Sequence, residues 1–361
     1  METIKRVLVW SGRNERHLGA VLFVFGFVTD LFTFAFLPVS FVNLAFVVYL
    51  LLATLCTLGS HLFAGAREHR DLWRRVLSIV FPLGAQYAIG SLLSGCLIFY
   101  SKSASVFVSW PFLLLIVLVF IGNEYFRTYH KHLAFQVVLL FFGLYAYSIF
   151  ALPLFVHRLG PVVFLGSTGV SLVLFTAFLF MLKKVRQTGY EASRRYIVLG
   201  VALIVGLMNL FYFTGVIPPI PLTLPTVGIY HRVEKRDGQY LVTAEKDTSW
   251  LRVGSPTIHH VSGTPLYAFS AVSAPISFGT SIVHVWEKYD TQKKKWVVKN
   301  RYTFPINGGR DGGYRGYSEV TNPEAGKWRL TIETSDKQVV GRLNFTVQNV
   351  DTQPQMIEQI K

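Results

Sequence analysis

Only two cysteines occur in the 361 residues, Cys56 and Cys96, and none lies beyond residue 96. The C-terminal part therefore cannot be held by disulfides and must rely on a packed core. Acidic residues are scarce as well: 20 Asp and Glu stand against 35 Lys and Arg, for a formal net charge of +15. The marks of several chemistries are also missing. Gly166-Ser167-Thr168-Gly169 lacks the G-x-S-x-G pattern and a suitably placed histidine, which argues against a serine nucleophile. His259 and His260 are neighbours, so on a strand they point to opposite faces; with His231 they give no tight metal-ligand spacing. No paired carboxylates stand where they could serve as general acid and base, so no catalytic residues are assigned and no cofactor is expected. No A-x-A-like cleavage site follows the first apolar run, and Asp30 interrupts that run, which argues against a removed signal peptide. Inverted repeats and paired broken helices, the marks of many transporters, are not visible.

What is present is apolar length. Seven stretches, at 18–37, 41–64, 77–99, 106–122, 133–154, 161–182 and 196–217, match the roughly 20 residues a bilayer-crossing helix needs. Lys and Arg sit in alternate loops. Lys5, Arg6, Arg13 and Arg16 precede the first stretch, and Arg67, Arg70, Arg74 and Arg75 follow the second. Arg127 and Lys131 follow the fourth, and Lys183, Lys184, Arg186, Arg194 and Arg195 the sixth. The intervening loops hold only Lys102 and Arg158. By the positive-inside rule the N-terminus is cytoplasmic, and seven spans place the C-terminus outside the cytoplasmic membrane. This charge pattern points to a lipid bilayer as partner and away from nucleic acid. Trp10, Trp73 and Trp110 fit interfacial anchors. Residues 1–17 read as a cytoplasmic segment and 18–217 as a seven-helix transmembrane bundle.

Asp30 is the one acid well inside a span, and such a residue is costly enough to suggest function. Counted at helical rise, Asp30, Asn209 and Tyr147 come to similar depth, roughly 18–20 Å from the inner surface. They are expected to form one polar layer for a proton, an ion or a small ligand, or else to fix helix packing by hydrogen bonds.

At Pro218-Pro219 the chain changes character. Four prolines between Pro218 and Pro225 forbid a helix and favour a stiff stalk over 218–226. Beyond it residues alternate with period two: Trp328, Leu330 and Ile332 share one strand face, and Leu343, Phe345 and Val347 another, around a turn at Ser335-Asp336-Lys337. Further strands are expected near 228–234, 239–245, 257–261, 265–273, 281–289, 296–304 and 314–319. The spacing predicts an all-β antiparallel sandwich of immunoglobulin-like architecture over 227–349, followed by a flexible tail at 350–361.

Three features of this domain are candidates for binding. His284 and Trp286 share a strand face, as a core pair or as a ligand site. The loop from Asn307 to Tyr317 combines dense glycine with Arg310, Asp311, Tyr314, Arg315 and Tyr317; Arg can grip an anion in bidentate fashion and Tyr can stack on a sugar. Lys293-Lys294-Lys295 reads as a hairpin tip that is solvated or touches anionic headgroups. His231 joins the candidates as a strand-borne imidazole.

GIYHRV at 228–233, HVW at 284–286, GGRDGGYRGYS at 308–318, GKWRLTIET at 326–334 and VVGRLNF at 339–345 give this part its kinship. On these stretches it resembles the bacterial family known as domain of unknown function 2914, in the form that follows a multi-span membrane region. The resemblance implies no activity, and the Lys-rich hairpin at 290–295 departs from shorter members. Taken together, the sequence leads to a non-enzymatic envelope protein whose exported β-domain binds an envelope glycan or a membrane or periplasmic protein. The alternative is a sensor or transporter-like protein with an intramembrane site around Asp30.

Overall fold

The structure, a computed structural model, describes residues 25–32, 34, 39–63, 71–103, 106–125, 133–218, 222–236, 239–246, 255–274, 279–307 and 313–361. It divides into a helical unit and a β-rich unit; the β-rich unit runs from Gly215 to Lys361 and also takes in Ser103–Ser109 and Val156–Pro161.

The described part of the helical unit holds seven helices: α1 (25–32), α2 (Val39–Leu62), α3 (Leu72–Ser103), α4 (Val106–Tyr125), α5 (Leu133–Val156), α6 (Pro161–Val185) and α7 (Gln187–Phe213). Five of them, α2, α3, α5, α6 and α7, are long and apolar enough to cross a membrane, and the apolar run of α4, Val108–Gly122, is shorter. The expected span at 18–37 lies largely outside the described residues. The last expected span, 196–217, is offset: α7 starts at Gln187, carries Arg194 and Arg195 in its N-terminal part, and ends at Phe213. There the Thr214 N–H still closes a helical turn on Leu210 O at 3.0 Å, and Gly215 then takes a positive φ of 71° that ends the helix.

Helix α5 is the centre of this unit. In its most apolar window 72% of residues are buried, against 17% in α7. Without a hydrophobic drive between helices in lipid, close approach needs small residues. Gly143 of α5 supplies one: a Cβ there would stand 2.2 Å from Leu92 Cδ2 of α3. The Tyr100 hydroxyl donates to Ala146 O at 2.8 Å and ties the same two helices. Elsewhere the helices present apolar side chains outward, such as Val162, Phe155 and Leu203.

The β-rich unit has eleven strands among the described residues: β1 (Thr223–Tyr230), β2 (Arg232–Arg236), β3 (Gln239–Glu245), β4 (Thr257–His260), β5 (Pro265–Ser273), β6 (Gly279–Asp290), β7 (Lys295–Asn307), β8 (Tyr314–Thr321), β9 (Gly326–Thr334), β10 (Val339–Asn349) and β11 (Met356–Ile360). They form a sheet β1-β5-β8, a sheet β4-β10-β9-β6-β7 and a sheet β11-β3-β2. The reason lies in the alternation. Leu266, Ala268 and Val272 of β5 face Ile282 and Trp286 of β6 and Leu330 and Ile332 of β9, making the main core between the first two sheets. The intervening residues Phe269 and Ala271 face Tyr230, Val233, Tyr240 and Val242, making a second core with the third sheet. The sheet β1-β5-β8 is thus covered on both faces, and β5 is accordingly buried along most of its length.

Three expectations are corrected. The domain is not wholly antiparallel: β10 pairs β4 in parallel, Thr346 opposite Thr257 through Asn349 opposite His260. The expected tail contains a strand, since β11 pairs β3 from Met356↔Glu245 to Ile360↔Leu241. Its five residues were too few to declare a pattern, and β3 supplies the ladder. Of the expected stalk at 218–226, residues 223–226 belong to β1, with Thr223 opposite Ser273 and Thr226 opposite Ala271. Pro225 is accommodated there where the register shifts between Thr223 and Thr226.

Candidate functional site

His284 and Trp286 do share a face, and that face is the main core. Both are fully buried. The imidazole is held between two serines from the opposite sheet, with Nε2 at 2.7 Å from Ser270 Oγ and Nδ1 at 2.9 Å from Ser318 Oγ. The Trp286 indole N–H donates to the same Ser318 oxygen at 2.9 Å. A neutral imidazole offers one donor and one acceptor, and a serine hydroxyl can meet either, so each ring nitrogen is matched. Burial pushes the His284 pKa down to about 4, which keeps it neutral at ordinary pH. The Phe304 ring closes the pocket at 4.8 Å, edge to face. This group ties the two sheets together and is closed to a ligand.

The glycine-rich loop divides. Arg310 and Asp311 lie outside the described residues, as does most of the turn. Tyr314 packs against the main core. Arg315 is engaged, since its Nη1 donates to Lys361 O at 3.1 Å and its own carbonyl accepts from the Tyr240 hydroxyl at 3.4 Å. Tyr317, three residues on from Tyr314, points away from the main core and is 41% exposed. Its ring lies 6.2 Å from those of both Tyr240 and Tyr267. Lys235 stands over the Tyr240 ring at 6.0 Å, and Glu319 lies opposite Tyr267 across the β5–β8 pair. The result is a tyrosine cluster with one exposed member, Tyr317, beside the half-buried Tyr267 and the buried Tyr240 of the second core. Only Tyr317 of it was a sequence candidate. Tyr240 and Tyr267 come from β3 and β5; β5 pairs β8, whereas β3 belongs to the third sheet and meets Tyr317 by packing, so no window of sequence joins the three.

His231, at the break between β1 and β2, meets Glu245. Its Nε2 lies 3.0 Å from Glu245 Oε1, while His259 Nδ1 lies 2.8 Å from Oε2 and the His259 backbone N–H donates to Oε1 at 2.6 Å. Burial pushes the Glu245 carboxyl up, but these bonds outweigh it and hold the pKa below the usual value. Among the described residues no cluster of His, Cys, Asp and Glu is arranged to hold a metal ion. The clip joins β3 to β4, strands of two different sheets. A second polar network, on the far side of β6, β9 and β10, was not read from the sequence: Arg329 grips Glu287 with two bonds of 2.6 Å, lies 4.4 Å over the Trp296 ring, and is followed by Thr331 and Arg342. At the Lys-rich hairpin, Asp290 Oδ1 accepts the backbone N–H groups of Gln292 and Lys293, and Lys294 takes φ 49°; these features make it a turn.

In the helical unit the expected polar layer separates into three. Asp30, fully buried, accepts from the Tyr49 hydroxyl at 2.9 Å and is hydrogen bonded to Ser94 Oγ, so it belongs to α1, α2 and α3. Tyr147 donates to Asn43 Oδ1 at 2.7 Å, linking α5 to α2. Asn209 donates to Val205 O at 2.8 Å and to the Tyr145 hydroxyl at 3.3 Å, and that hydroxyl lies 2.7 Å from Thr168 Oγ1. Equal depth did not mean equal position around the bundle. Tyr147 also lines a cavity of about 450 Å³ with Val47, Leu51, Thr54, Leu144 and Phe178. The serines around Asp30 had a legible signal: Ser91 and Ser94 are three apart and share one face of α3.

Residues 279–347, from β6 into β10, match the family described as "Protein of unknown function (DUF2914)". The stretch at 228–233 that also carries the resemblance lies outside this match. No curated protein matches the chain. Among solved structures, an immunoglobulin-like protein from Pseudomonas aeruginosa is similar at 12% identity, covering 35% of this chain and 96% of that one, with a TM-score of 0.21. A β-glucosidase from Listeria innocua in complex with gluconolactone is similar at 12% identity over 30% of this chain, with a TM-score of 0.21. This chain covers only 16% of that enzyme, well under two thirds of its length. An alkylpurine DNA glycosylase from Pseudomonas fluorescens bound to DNA is similar at 8% identity over 78% of this chain and 83% of that one, with a TM-score of 0.23. Likeness at this level carries no argument about fold or activity.

Proposed function

We propose that this is a seven-span protein of the bacterial cytoplasmic membrane whose extracytoplasmic β-domain, immunoglobulin-like in plan, binds an envelope glycan without catalysing a reaction on it. Five helices of crossing length and the alternation of positive loops support the membrane part. One observation carries the binding reading: Tyr317, 41% exposed, lies between Tyr240 and Tyr267 with a centroid distance of 6.2 Å to each. A tyrosine presents an apolar ring face and a polar tip, which suits the alternating C–H and hydroxyl faces of a sugar. Lys235 and Glu319 at the margin supply hydrogen-bonding groups of both signs.

The test is calorimetric titration of the full-length protein, held in lipid nanodiscs, with soluble fragments of envelope glycan. Tyr317→Ala should weaken binding at least tenfold, about 1.4 kcal/mol or more, while thermal stability stays within experimental error because the ring is partly exposed. Binding that is undiminished in both Tyr317→Ala and Tyr267→Ala would remove the reading.

A further inference from the structure

We infer that Asp30, Ser91 and Ser94, with Tyr49 orienting the carboxylate, form a binding site for a small monovalent cation of the sodium type inside the helical bundle. The inference rests on the reading of these helices as membrane-spanning, and it refines the expectation of a polar site around Asp30 by giving it other partners.

Asp30 is on α1, Tyr49 on α2, and Ser91 and Ser94 one turn apart on α3. Tyr49 donates to Oδ1 and Ser94 is hydrogen bonded to Oδ2, so both carboxylate oxygens are held from different sides. Ser94 Oγ also lies 3.1 Å from Ser91 O. The Ser91 side chain lies beside the same carboxylate, and its hydroxyl makes no hydrogen bond of standard geometry. At 2% exposure that hydroxyl is buried, and it has no hydrogen-bond partner among the described residues. It stands where Gly26 of α1 leaves room: a Cβ at Gly26 would come within 3.3 Å of Ser91 Oγ and 3.2 Å of Tyr87.

Charge and donor type then narrow the ligand. Within helical residues 25–32, 39–60 and 76–101, Asp30 is the sole charged side chain. A carboxylate removed from water needs a proton or a positive partner. A proton on Asp30 would neutralise it and supply one donor, which can meet a single oxygen, and a buried hydroxyl without a partner is costly. A cation seated among Asp30, Ser91 and Ser94 neutralises the carboxylate and engages the orphan oxygen in one step. All donors are hard oxygens, which suits alkali and alkaline-earth ions and not zinc or copper. One carboxylate falls short of the several that calcium sites use, so a single positive charge is the match.

The experiment measures thermal unfolding of the full-length protein in nanodiscs, titrated with sodium chloride against choline chloride at equal ionic strength. Sodium is expected to raise the midpoint in a saturable manner and choline is not, as mass action requires of a ligand bound only by the folded state. Ser91→Ala should shift the half-saturating sodium concentration upward about tenfold, the loss of one good ligand interaction at about 1.4 kcal/mol per decade. Asp30→Asn should abolish saturation. Should Asp30→Asn fail to fold, Ser91→Ala alone still decides. Superimposed sodium and choline curves in the native protein would overturn the proposal, as would an unchanged half-saturation in Ser91→Ala. Carbonate extraction of the same protein from membranes reads the membrane assignment separately, so failure of one is distinct from failure of the other.

Discussion

The His284 imidazole, closed off between Ser270 and Ser318, makes the stability of the β-domain depend on pH in a definite direction. Its folded pKa of about 4 lies below the ordinary value of 6.5. Between those two values the unfolded chain takes up a proton that the folded chain refuses, so stability falls as pH drops through this window. Above the ordinary value the group is neutral in both states and contributes no slope. The loss should approach about 3 kcal/mol by pH 4, because each pH unit crossed within the window costs about 1.4 kcal/mol. Fluorescence of the buried Trp286 and Trp328 during thermal unfolding, recorded from pH 7.5 to pH 4, reports it. His284→Gln keeps a donor and an acceptor but does not titrate, and it should remove this part of the slope. From the sequence, His284 and Trp286 could be put on one strand face and no further. The two serines that satisfy the imidazole are 14 and 34 residues away, and only pairing of β5 and β8 brings them in. The same holds for Asp30: its cost in a span was plain from composition, but its partners Tyr49 and Ser94 are set by which helices touch.

Among the elements, long alternating strands were legible and short ones were not. β9 and β10 appear in the residue pattern by their faces, because Trp328, Leu330 and Ile332 of one and Phe345 and Val347 of the other turn to one core. β11 lacks that signal; its pattern is intermediate and exposed by turns, and it exists as a strand because β3 offers an unpaired edge. Beyond the paired ladder, Lys361 exchanges two backbone hydrogen bonds with Tyr240, at 2.8 and 3.2 Å, and accepts from Arg315. Removing residues 356–361 therefore strips one edge of β3 and releases the Arg315 guanidinium. We expect a stability loss of about 1–3 kcal/mol, with backbone exchange protection lost first at β3, measured by hydrogen exchange mass spectrometry. The parallel pairing of β4 with β10 was hidden for a related reason: four residues cannot announce a direction, and the choice is made by where the chain returns after β3. Gly313 is a case where local and tertiary causes meet. It has φ +82°, and a Cβ there would lie 2.9 Å from the Val272 carbonyl oxygen, so only glycine lets β8 begin so close to β5.

For the molecule as a whole, the direction of the chain through the bilayer is the claim with the widest consequence, since it decides which compartment meets the tyrosine cluster. Fifteen positive residues at one set of ends of the expected spans against two at the other predict that an alkaline phosphatase fused after Lys361 is active and a fluorescent protein in the same place is dark. The opposite pair of results would place the β-domain in the cytoplasm and rule out an envelope glycan as its ligand.

Residue order alone established the two-part character of this chain, its apolar helices, the loop charges and the faces of its longer strands. All of these depend on composition and short-range periodicity, which act within a few residues. The tertiary structure decided what no window of sequence contains. It covered the sheet β1-β5-β8 on both faces, turned His284 from a candidate ligand site into a hydrogen-bonded core residue, gathered the rings of Tyr240, Tyr267 and Tyr317 into one cluster, and placed Asp30 with Tyr49 and Ser94 rather than with Asn209 and Tyr147. Each depends on which distant elements pack together, and that choice follows from the burial available to the whole fold.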